Sequence, residues 1–537
     1  MARAGAHPTP RSAERPARSE RPPFRKLLVA NRGEIALRVV RACRDLGLTS
    51  VAVYSDADRA APHVLLADEA HYLGPSPAAE SYLNISRLLD VARGAGADAV
   101  HPGYGFLSEN PEFADACAGA GLVFVGPPGN VMRAMGEKTA ARRVAEAAGV
   151  PVVPGYDAGL EDAREAARLA ERIGYPVLLK AAAGGGGKGI RFVRRQDELE
   201  AALRLARSEA ASAFGDDTVY MEKAVAPARH IEVQIFADTH GHVVHLGERE
   251  CSIQRRHQKL IEETPSVALD AELRGRLTEA AVRLARAAGY VNAGTVEFLL
   301  GPDRHFYFLE VNARLQVEHP VTEWVTGLDL VREQLRVAAG LPLSFGQDDI
   351  PFRGHAIEVR VSAEDPANRF LPASGTIAAL REPGGPGVRV DSGAYAGMVV
   401  PLYYDPLLAK LIVWGADRGE AVARLRRALE EYTIAGVRTT LPFAHWLTRN
   451  ERFLRGDLST DFVAEEWHPE PRAAAEAPAH GAAPFALDER LVAMVAAALA
   501  AEDMGARADG RQDGGATTGE AGSRWRDAGR LAALRPW

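Results

Sequence analysis

Five polar side chains, Glu310, Asn312, Arg314, Gln316 and Glu318, alternate with Val311, Ala313, Leu315 and Val317. In an extended chain successive side chains point to opposite faces, so all five would line one surface. Gly294-Thr-Val-Glu297-Phe-Leu-Leu300 lies just upstream and reads as a hairpin partner that brings a further carboxylate alongside. Glu297, Glu310 and Asn312 form an all-oxygen set suited to Mg²⁺, which takes carboxylates together with nucleotide phosphates. Taken alone, the same pattern also describes a half-exposed antiparallel strand with one face in water.

A second concentration of chemistry begins at Pro176-Val-Leu-Leu-Lys180, an apolar strand closed by lysine, and runs into Ala181-Ala-Ala-Gly184-Gly-Gly-Gly187-Lys188-Gly189. Consecutive glycines let a backbone approach an anion and aim N–H groups at it, while Lys180 and Lys188 supply charge. No Ser or Thr follows the Gly-Lys pair to hold magnesium, so this is not a P-loop. Without its surroundings it reads equally as a flexible surface hairpin. The run Glu248-Arg-Glu-Cys-Ser-Ile-Gln254-Arg-Arg-His257-Gln-Lys259 is dense in hydrogen-bonding groups. It is either a solvated charged turn or a binder of phosphate or another small anion. Arg360 alternates with apolar neighbours in Glu358-Val-Arg360-Val-Ser, a pattern that usually marks a surface ion pair.

These residues need elements to hold them. Residues 26–30 read as a buried parallel strand, followed by a helix over 34–46 and a strand over 50–54. Strand, helix, strand at this pitch is a βαβ unit and implies a parallel sheet. Further strands fall at Ala99-Val100 and residues 122–125, so residues 26–137 are expected to form a Rossmann-like N-terminal domain. His101-Pro-Gly-Tyr104-Gly-Phe-Leu-Ser-Glu109-Asn110 follows one of those strands, at the sheet end where open α/β folds place ligands; its bland reading is a packed Gly/Pro turn. Residues 138–345 mix helices and strands around the glycine loop, an α+β body with a mobile subdomain. Residues 354–467 carry short strands punctuated by Gly and Pro and are expected to be mainly β. Residues 468–537 turn to Ala, Glu, Pro and Gly, a flexible tail with short helices near 488–501 and 525–534.

The bulk numbers narrow the function. The chain of 537 residues is 47% hydrophobic and 25% charged, the make-up of an ordinary globular protein of several domains. A net charge of −7 gives no support for a nucleic-acid partner, and no apolar run is long enough for a membrane span. Cys43, Cys117 and Cys251 stand far apart without a CxxC pair, which speaks against a disulfide framework or zinc site and fits a reducing, cytoplasmic compartment. Residues 1–25 are rich in Arg, Pro, Ala and Ser and lack the apolar core of a signal peptide; they read as a disordered leader or a wrongly chosen start, against a transit peptide, which Glu14 and Glu20 weaken.

Five motifs stand in order along the chain: Ala30-Asn-Arg-Gly-Glu-Ile-Ala36, His101-Pro-Gly-Tyr-Gly-Phe-Leu-Ser-Glu109, Met135-Gly-Glu-Lys138, Gln254-Arg-Arg-His-Gln-Lys259 and Arg314-Leu-Gln-Val-Glu-His-Pro320. With them the sequence resembles the biotin carboxylases, members of the ATP-grasp group, from about residue 26 to 467. The resemblance implies a Rossmann-like domain, a central ATP-grasp domain with a mobile lid, and a mainly β C-terminal biotin carboxylase domain. It implies that Lys138, Lys180, Gly186, Gly187, Glu222, Lys223, Val225, His230 and His257 surround ATP, and that Glu297, Glu310 and Asn312 hold Mg²⁺ or Mn²⁺. Lys259, Arg314, Gln316, Val317 and Glu318 would form the bicarbonate pocket and Arg360 would stand beside biotin. Catalysis would rest on Lys259, Arg314, Glu318 and Arg360. The implied reaction is ATP- and bicarbonate-dependent carboxylation of biotin, the first half-reaction of an acyl-CoA (acetyl-CoA) or pyruvate carboxylase.

Two positions depart from the family pattern. Ala183 takes the place of the first of five glycines, and Ala224 stands where an aromatic usually follows Met-Glu-Lys; both are expected to alter fit and to leave activity. No Met-Lys-Met biotinyl-lysine motif occurs in the sequence. The expected partners are therefore a separate biotin carboxyl carrier protein and carboxyltransferase subunits, with the chain itself a homodimer. A carbamoyl-phosphate synthetase-like ligase would share the glycine loop and metal strand, whereas Arg360 and the third domain favour biotin. A silent nucleotide-binding scaffold would have no use for an intact set of Lys259, Glu297, Glu310, Arg314 and Glu318.

Overall fold

The computed structural model describes residues 24–156, 159–160, 162–181, 190–214 and 216–469. By its internal contacts the chain divides into residues 1–470 and 471–537, and the described residues all lie in the first unit. The glycine loop at residues 182–189 (Ala183, Gly186 and Gly187 among them), residues 1–23 of the leader and both tail helices lie outside the described residues.

The runs Lys26–Val29, Thr49–Ser55 and Ala99–His101 are buried along nearly their whole length, as strands covered on both faces must be. With Glu69–Gly74 and Val123–Phe124 they build a five-stranded parallel sheet. Helix Gly33–Leu46 crosses back over it, burying Ile35, Leu37, Val39, Val40 and Cys43. It stops where Gly47 adopts φ 70°, a left-handed cap that side chains disfavour. This is the Rossmann-like layer structure expected from the βαβ spacing.

The body of the chain is an eight-stranded antiparallel sheet. Its strands in spatial order are Phe306–Asn312, Asn292–Leu300, Arg229–Ala237, Val243–Arg255, Gln258–Thr264, His355–Ser362, Leu407–Gly415 and Val388–Ser392. The last three come from the sheet-rich C-terminal portion, so that portion is joined to the preceding one by strand pairing: Glu262 stands opposite Glu358 and Ile261 opposite Val359. Two cores cover this one sheet. Helix Ala271–Ala287 supplies Leu273, Leu277 and Leu284 to the first, and helix Arg418–Glu431 supplies Leu425 and Leu429 to the second.

A smaller antiparallel sheet stands apart, with Gly155–Tyr156, Val219–Lys223, Val177–Ala181 and Ile190–Val193 in spatial order. Helices Ala163–Ile173 and Gln196–Phe214 close a separate core over it around Leu169, Val177, Leu179, Leu203 and Met221. An element pair that buries its own core can move as a unit.

One expectation fails. The alternation from Glu310 to Glu318 is not a single strand: it ends at Asn312, residues 313–318 turn, and helix His319–Thr326 begins. Leu315 is fully buried among Phe236, Leu330 and Leu335, which pulls the chain inward. Pro320 occupies the first turn of the helix, where its missing N–H costs nothing. Among the described residues no helix is long and apolar enough to cross a membrane, and the three cysteines are free and buried.

Candidate active site

Adjacent strands of the large sheet carry charged side chains at paired positions. Glu232 stands opposite Glu297 on one side and Arg249 on the other, and Glu297 stands opposite Glu310. Directly paired residues share a face, so the charges form a row across the sheet. Lys259 ties the row together: its Nζ donates to Glu318 Oε1 at 2.7 Å, to Glu297 Oε1 at 2.8 Å and to Glu232 Oε2. All three protons of the ammonium are thereby spent on carboxylates that are 5% exposed or less. Arg249, wholly buried, pairs with Glu232 through Nε and donates to Gln234 at 2.8 Å and Thr322 at 3.0 Å.

Burial alone would raise the carboxyls of Glu297 and Glu318. Lys259 and His230 together outweigh it at Glu297, and Lys259, Arg360 and Arg249 together at Glu318, so both are held well below the usual carboxylate range. His230 Nε2 lies 3.0 Å from Glu297 Oε2, and against the pull of burial that charge lifts the imidazole. Glu310 behaves oppositely: burial, then the Glu297 charge, push its carboxyl up, and among the described residues it has no ion pair. Asn312 Nδ2 donates to Glu297 Oε1 at 2.8 Å, which places the amide beside two carboxylates that repel each other. A divalent cation fits such a set because it removes the repulsion. Atoms of His230, Glu232 and Glu297 lie within 4.8 Å of one another, as do atoms of Glu232, Cys251 and Glu318; in the second group Lys259 and Arg249 already occupy the carboxylates, so that cluster is an ion-pair network.

Arg314 is aimed by its neighbours. Its Nε donates to Glu109 Oε2 at 2.9 Å, Nη1 to Gln316 Oε1 at 2.6 Å and Nη2 to Asn312 Oδ1 at 2.9 Å. Glu109 also accepts from the Ala313 amide at 3.0 Å. It comes from the loop after strand Ala99–His101, so the carboxyl end of the parallel sheet does reach the site. That loop needs Gly103: at φ 65° a Cβ there would stand 2.8 Å from Asn31 Nδ2. On the other flank Arg360 donates through Nε to Glu262 Oε1 at 2.6 Å and through Nη2 to Glu318 Oε2 at 2.9 Å. Arg360 thus serves the site and is no surface ion pair. Gln316 Nε2 donates to Glu297 Oε1 at 3.1 Å, and the Val317 carbonyl accepts from the buried Lys410 Nζ at 2.9 Å.

Lys259, His230, Glu297, Asn312, Arg314, Gln316, Glu318 and Arg360 are therefore one hydrogen-bonded set, faced by Glu310. Lys138 opens helix Lys138–Ala147 and acts on Glu310 through its charge. Lys180 and Glu222 pair with each other on the small sheet. Lys223 Nζ is tied to the carbonyls of Gly174 at 2.7 Å and Tyr175 at 2.9 Å, and its backbone N–H donates to the Pro154 carbonyl at 2.7 Å. Val225, just past that strand, is half-buried and near Gly301. His257 lies on an exposed turn at φ 66° and joins none of these contacts. Sequence reasoning missed Glu232, Arg249, Glu262 and Lys410. A signal existed: His230, Glu232 and Gln234 alternate with Ile231, Val233 and Ile235, and Lys410 is the single charge in Leu407–Gly415.

Residues 137–345 match the family described as "Carbamoyl-phosphate synthase L chain, ATP binding domain", so the sheet that carries this row belongs to an ATP-binding fold. Residues 23–132 match "Biotin carboxylase, N-terminal domain" and residues 358–465 "Biotin carboxylase C-terminal domain". The chain belongs to the biotin carboxylase family, a family of ATP-dependent ligases. A pyruvate carboxylase subunit of Methanothermobacter thermautotrophicus is 57% identical over 442 residues, 82% of this chain and 90% of that protein. Biotin carboxylase 1 of Bacillus subtilis is 52% identical over 441 residues, 82% of this chain and 98% of that protein. Among solved structures, the biotin carboxylase domain dimer of Hydrogenobacter thermophilus 2-oxoglutarate carboxylase, in complex with MgADP, ADP and bicarbonate, superposes with a TM-score of 0.78 at 48% identity, covering 84% of this chain and 99% of that one.

Proposed function

We propose that this chain uses ATP to activate bicarbonate as carboxyphosphate and passes the carboxyl group to biotin on a carrier outside these 537 residues. The observation that carries the proposal is the Lys259 ammonium set among Glu232, Glu297 and Glu318, with Arg314 and Arg360 on its flanks. Bicarbonate is a weak nucleophile. Glu318, kept ionised by Lys259 and Arg360, is the general base, and Lys259, Arg314 and the Val317 N–H hold the anion in line for attack. As Lys259 and Arg314 turn to bicarbonate, Glu318 loses part of its cation load and becomes basic enough to take the proton. A bicarbonate oxygen then attacks the γ-phosphorus and ADP departs.

Glu297, Glu310 and Asn312 would hold Mg²⁺ (or Mn²⁺), which supplies charge neutralisation at the nucleotide phosphates. Lys138, Lys180, Glu222, Lys223, Val225, His230, His257 and the loop with Gly186 and Gly187 surround ATP. The small four-stranded subdomain closes as a lid and keeps water from the mixed anhydride. Breakdown gives CO₂ and phosphate; the phosphate takes the N1′ proton of biotin, and Arg360 stabilises the enolate. The Hydrogenobacter domain, solved with MgADP and bicarbonate as a dimer, supports the ligand set and a homodimer. A relative named as a pyruvate carboxylase subunit supports partnership with a carrier protein and carboxyltransferase subunits. Three free, buried cysteines fit work in the cytoplasm. ADP release by the purified chain should require bicarbonate and be accelerated by free biotin. Release with bicarbonate and ammonia, indifferent to biotin, would point to carbamoyl phosphate chemistry, and no release under any condition to a scaffold.

A further inference from the structure

Beside Arg360 lies a feature with no part in the carboxylation steps above. Glu262 and Glu358 are both fully buried and stand directly opposite each other on neighbouring antiparallel strands. Glu262 gives one oxygen to Arg360 Nε at 2.6 Å, while its Oε2 has no hydrogen-bond partner. Both carboxyl oxygens of Glu358 are likewise buried without a partner. Three unsatisfied carboxyl oxygens side by side are a costly arrangement unless they satisfy one another. Directly paired Cβ atoms are about 5 Å apart, close enough for a small side-chain rotation to bring the two carboxyl groups together.

We propose that Glu262 and Glu358 share a proton as a carboxyl–carboxylate pair, and that this pair positions Arg360 at the biotin side of the site. The O–H of Glu358 is donated to Glu262 Oε2, and Glu262 Oε1 receives Arg360 Nε. This fixes one edge of the guanidinium, so that Nη2 meets Glu318 and Nη1, which has no acceptor among the described residues, is left for a ligand. The charges facing the pair are Arg360 on the same strand as Glu358, Lys410 on the next strand, Lys259, and Glu318, with His319 and Glu323 on the covering helix. Two ionised carboxylates cannot share so small a site, and the directions agree. Burial raises Glu262 to about 7 despite Arg360, and raises Glu358 well above the usual range despite Lys410. One proton leaves the pair with a single negative charge, the complement of one guanidinium edge. Removing it at high pH adds a second charge that draws Arg360 back from the ligand.

The inference rests on Arg360 facing biotin, so the experiment carries Arg360→Ala beside Glu358→Leu and Glu358→Gln in the full chain. Biotin carboxylation and bicarbonate-dependent ATP cleavage are followed between about pH 6.5 and 9.5, a range that spans the titration of raised carboxyls. Glu358→Leu leaves Glu262 Oε2 without a donor; carboxylation should fall about tenfold or more while ATP cleavage persists. Glu358→Gln keeps a neutral donor and should recover most of that loss. It should also lose the alkaline decline of the native enzyme, which a merely structural role would not change. The inference is overturned if Glu358→Gln is as poor as Glu358→Leu, or if it keeps the native alkaline decline. The pH profile of Glu358→Gln decides the matter even if Glu358→Leu does not fold. Normal carboxylation by Arg360→Ala would instead overturn the biotin-side reading of Arg360.

Discussion

Replacing Lys259 by methionine removes the ammonium that three buried carboxylates share and keeps most of the side-chain volume. Breaking one buried ion pair costs roughly 3–5 kcal/mol. The loss at Lys259 should stay near that range and not triple, because each carboxylate keeps a second cation: Arg249 on Glu232, His230 on Glu297 and Arg360 on Glu318. At about 2 cal/mol/K of unfolding entropy per residue, a folded unit of roughly 450 residues loses about 1 °C per kcal/mol. Tm should therefore drop about 3–5 °C near neutral pH. The pH dependence has a fixed sign. Glu297 and Glu318 are held below their ordinary value of 4.5, so the stability they lend is present above that pH and is lost as pH falls through their lower folded values. Without Lys259, burial is less opposed, the two carboxyls rise, and protonation becomes a relief. The deficit should thus be full at about pH 7.5 and narrow towards about pH 5. Turnover should fall about 10²–10³-fold, since the same ammonium holds bicarbonate. Differential scanning fluorimetry at the two pH values, with a coupled ADP assay, measures both. A Tm within about 1 °C of the native value at pH 7.5, or a deficit that grows on acidification, would refute the reasoning.

Glu310→Gln should lower turnover by about 10²-fold or more and raise the Mg²⁺ requirement while the fold survives; near-normal carboxylation at low millimolar Mg²⁺ would sink the metal assignment. Arg360→Ala should weaken biotin carboxylation by about 3–4 kcal/mol in transition-state terms, with slow bicarbonate-dependent ATP hydrolysis retained. Arg360→Lys should rescue it poorly, because an ammonium cannot bridge Glu262 and Glu318 as the fork does; parallel loss of both activities in a folded protein would contradict this division. Glu109→Gln removes the charge that holds Arg314 Nε and the Ala313 amide. KM for bicarbonate should rise about five- to tenfold with a smaller change in kcat, and an unchanged KM would show that Arg314 needs no such support.

Much of this architecture was legible, and the failures share a cause. The βαβ spacing from Lys26 onward announced the parallel sheet, and Glu297 does stand opposite Glu310 as the hairpin reading required. Periodicity overreached at Asn312, because a period-two pattern cannot reveal that Leu315 is claimed by a core far along the chain. Arg314, Gln316 and Glu318 still arrive at the site, but through a turn. Arg360 looked like a surface residue because its two acceptors, Glu262 and Glu318, lie 98 and 42 positions away in sequence. The buried partners Glu232 and Lys410 escaped for the same reason: strand pairing joins them to the site, and local sequence carries only the hint that each breaks a run of apolar residues, while Arg249 stood unremarked within the polar run from Glu248.

The central claim is that a bicarbonate oxygen attacks the γ-phosphorus before any carbon reaches biotin. Bicarbonate labelled in all its oxygens with the heavy isotope, supplied with unlabelled ATP and free biotin, tests it through the mass of the inorganic phosphate. Attack through oxygen forms the P–O bond that persists when carboxyphosphate breaks, so each phosphate should carry a single heavy oxygen, in step with carboxybiotin formed. Unlabelled phosphate accompanying labelled carboxybiotin would mean that bicarbonate is never phosphorylated, and would contradict the roles of Lys259, Arg314 and Glu318 in activating it.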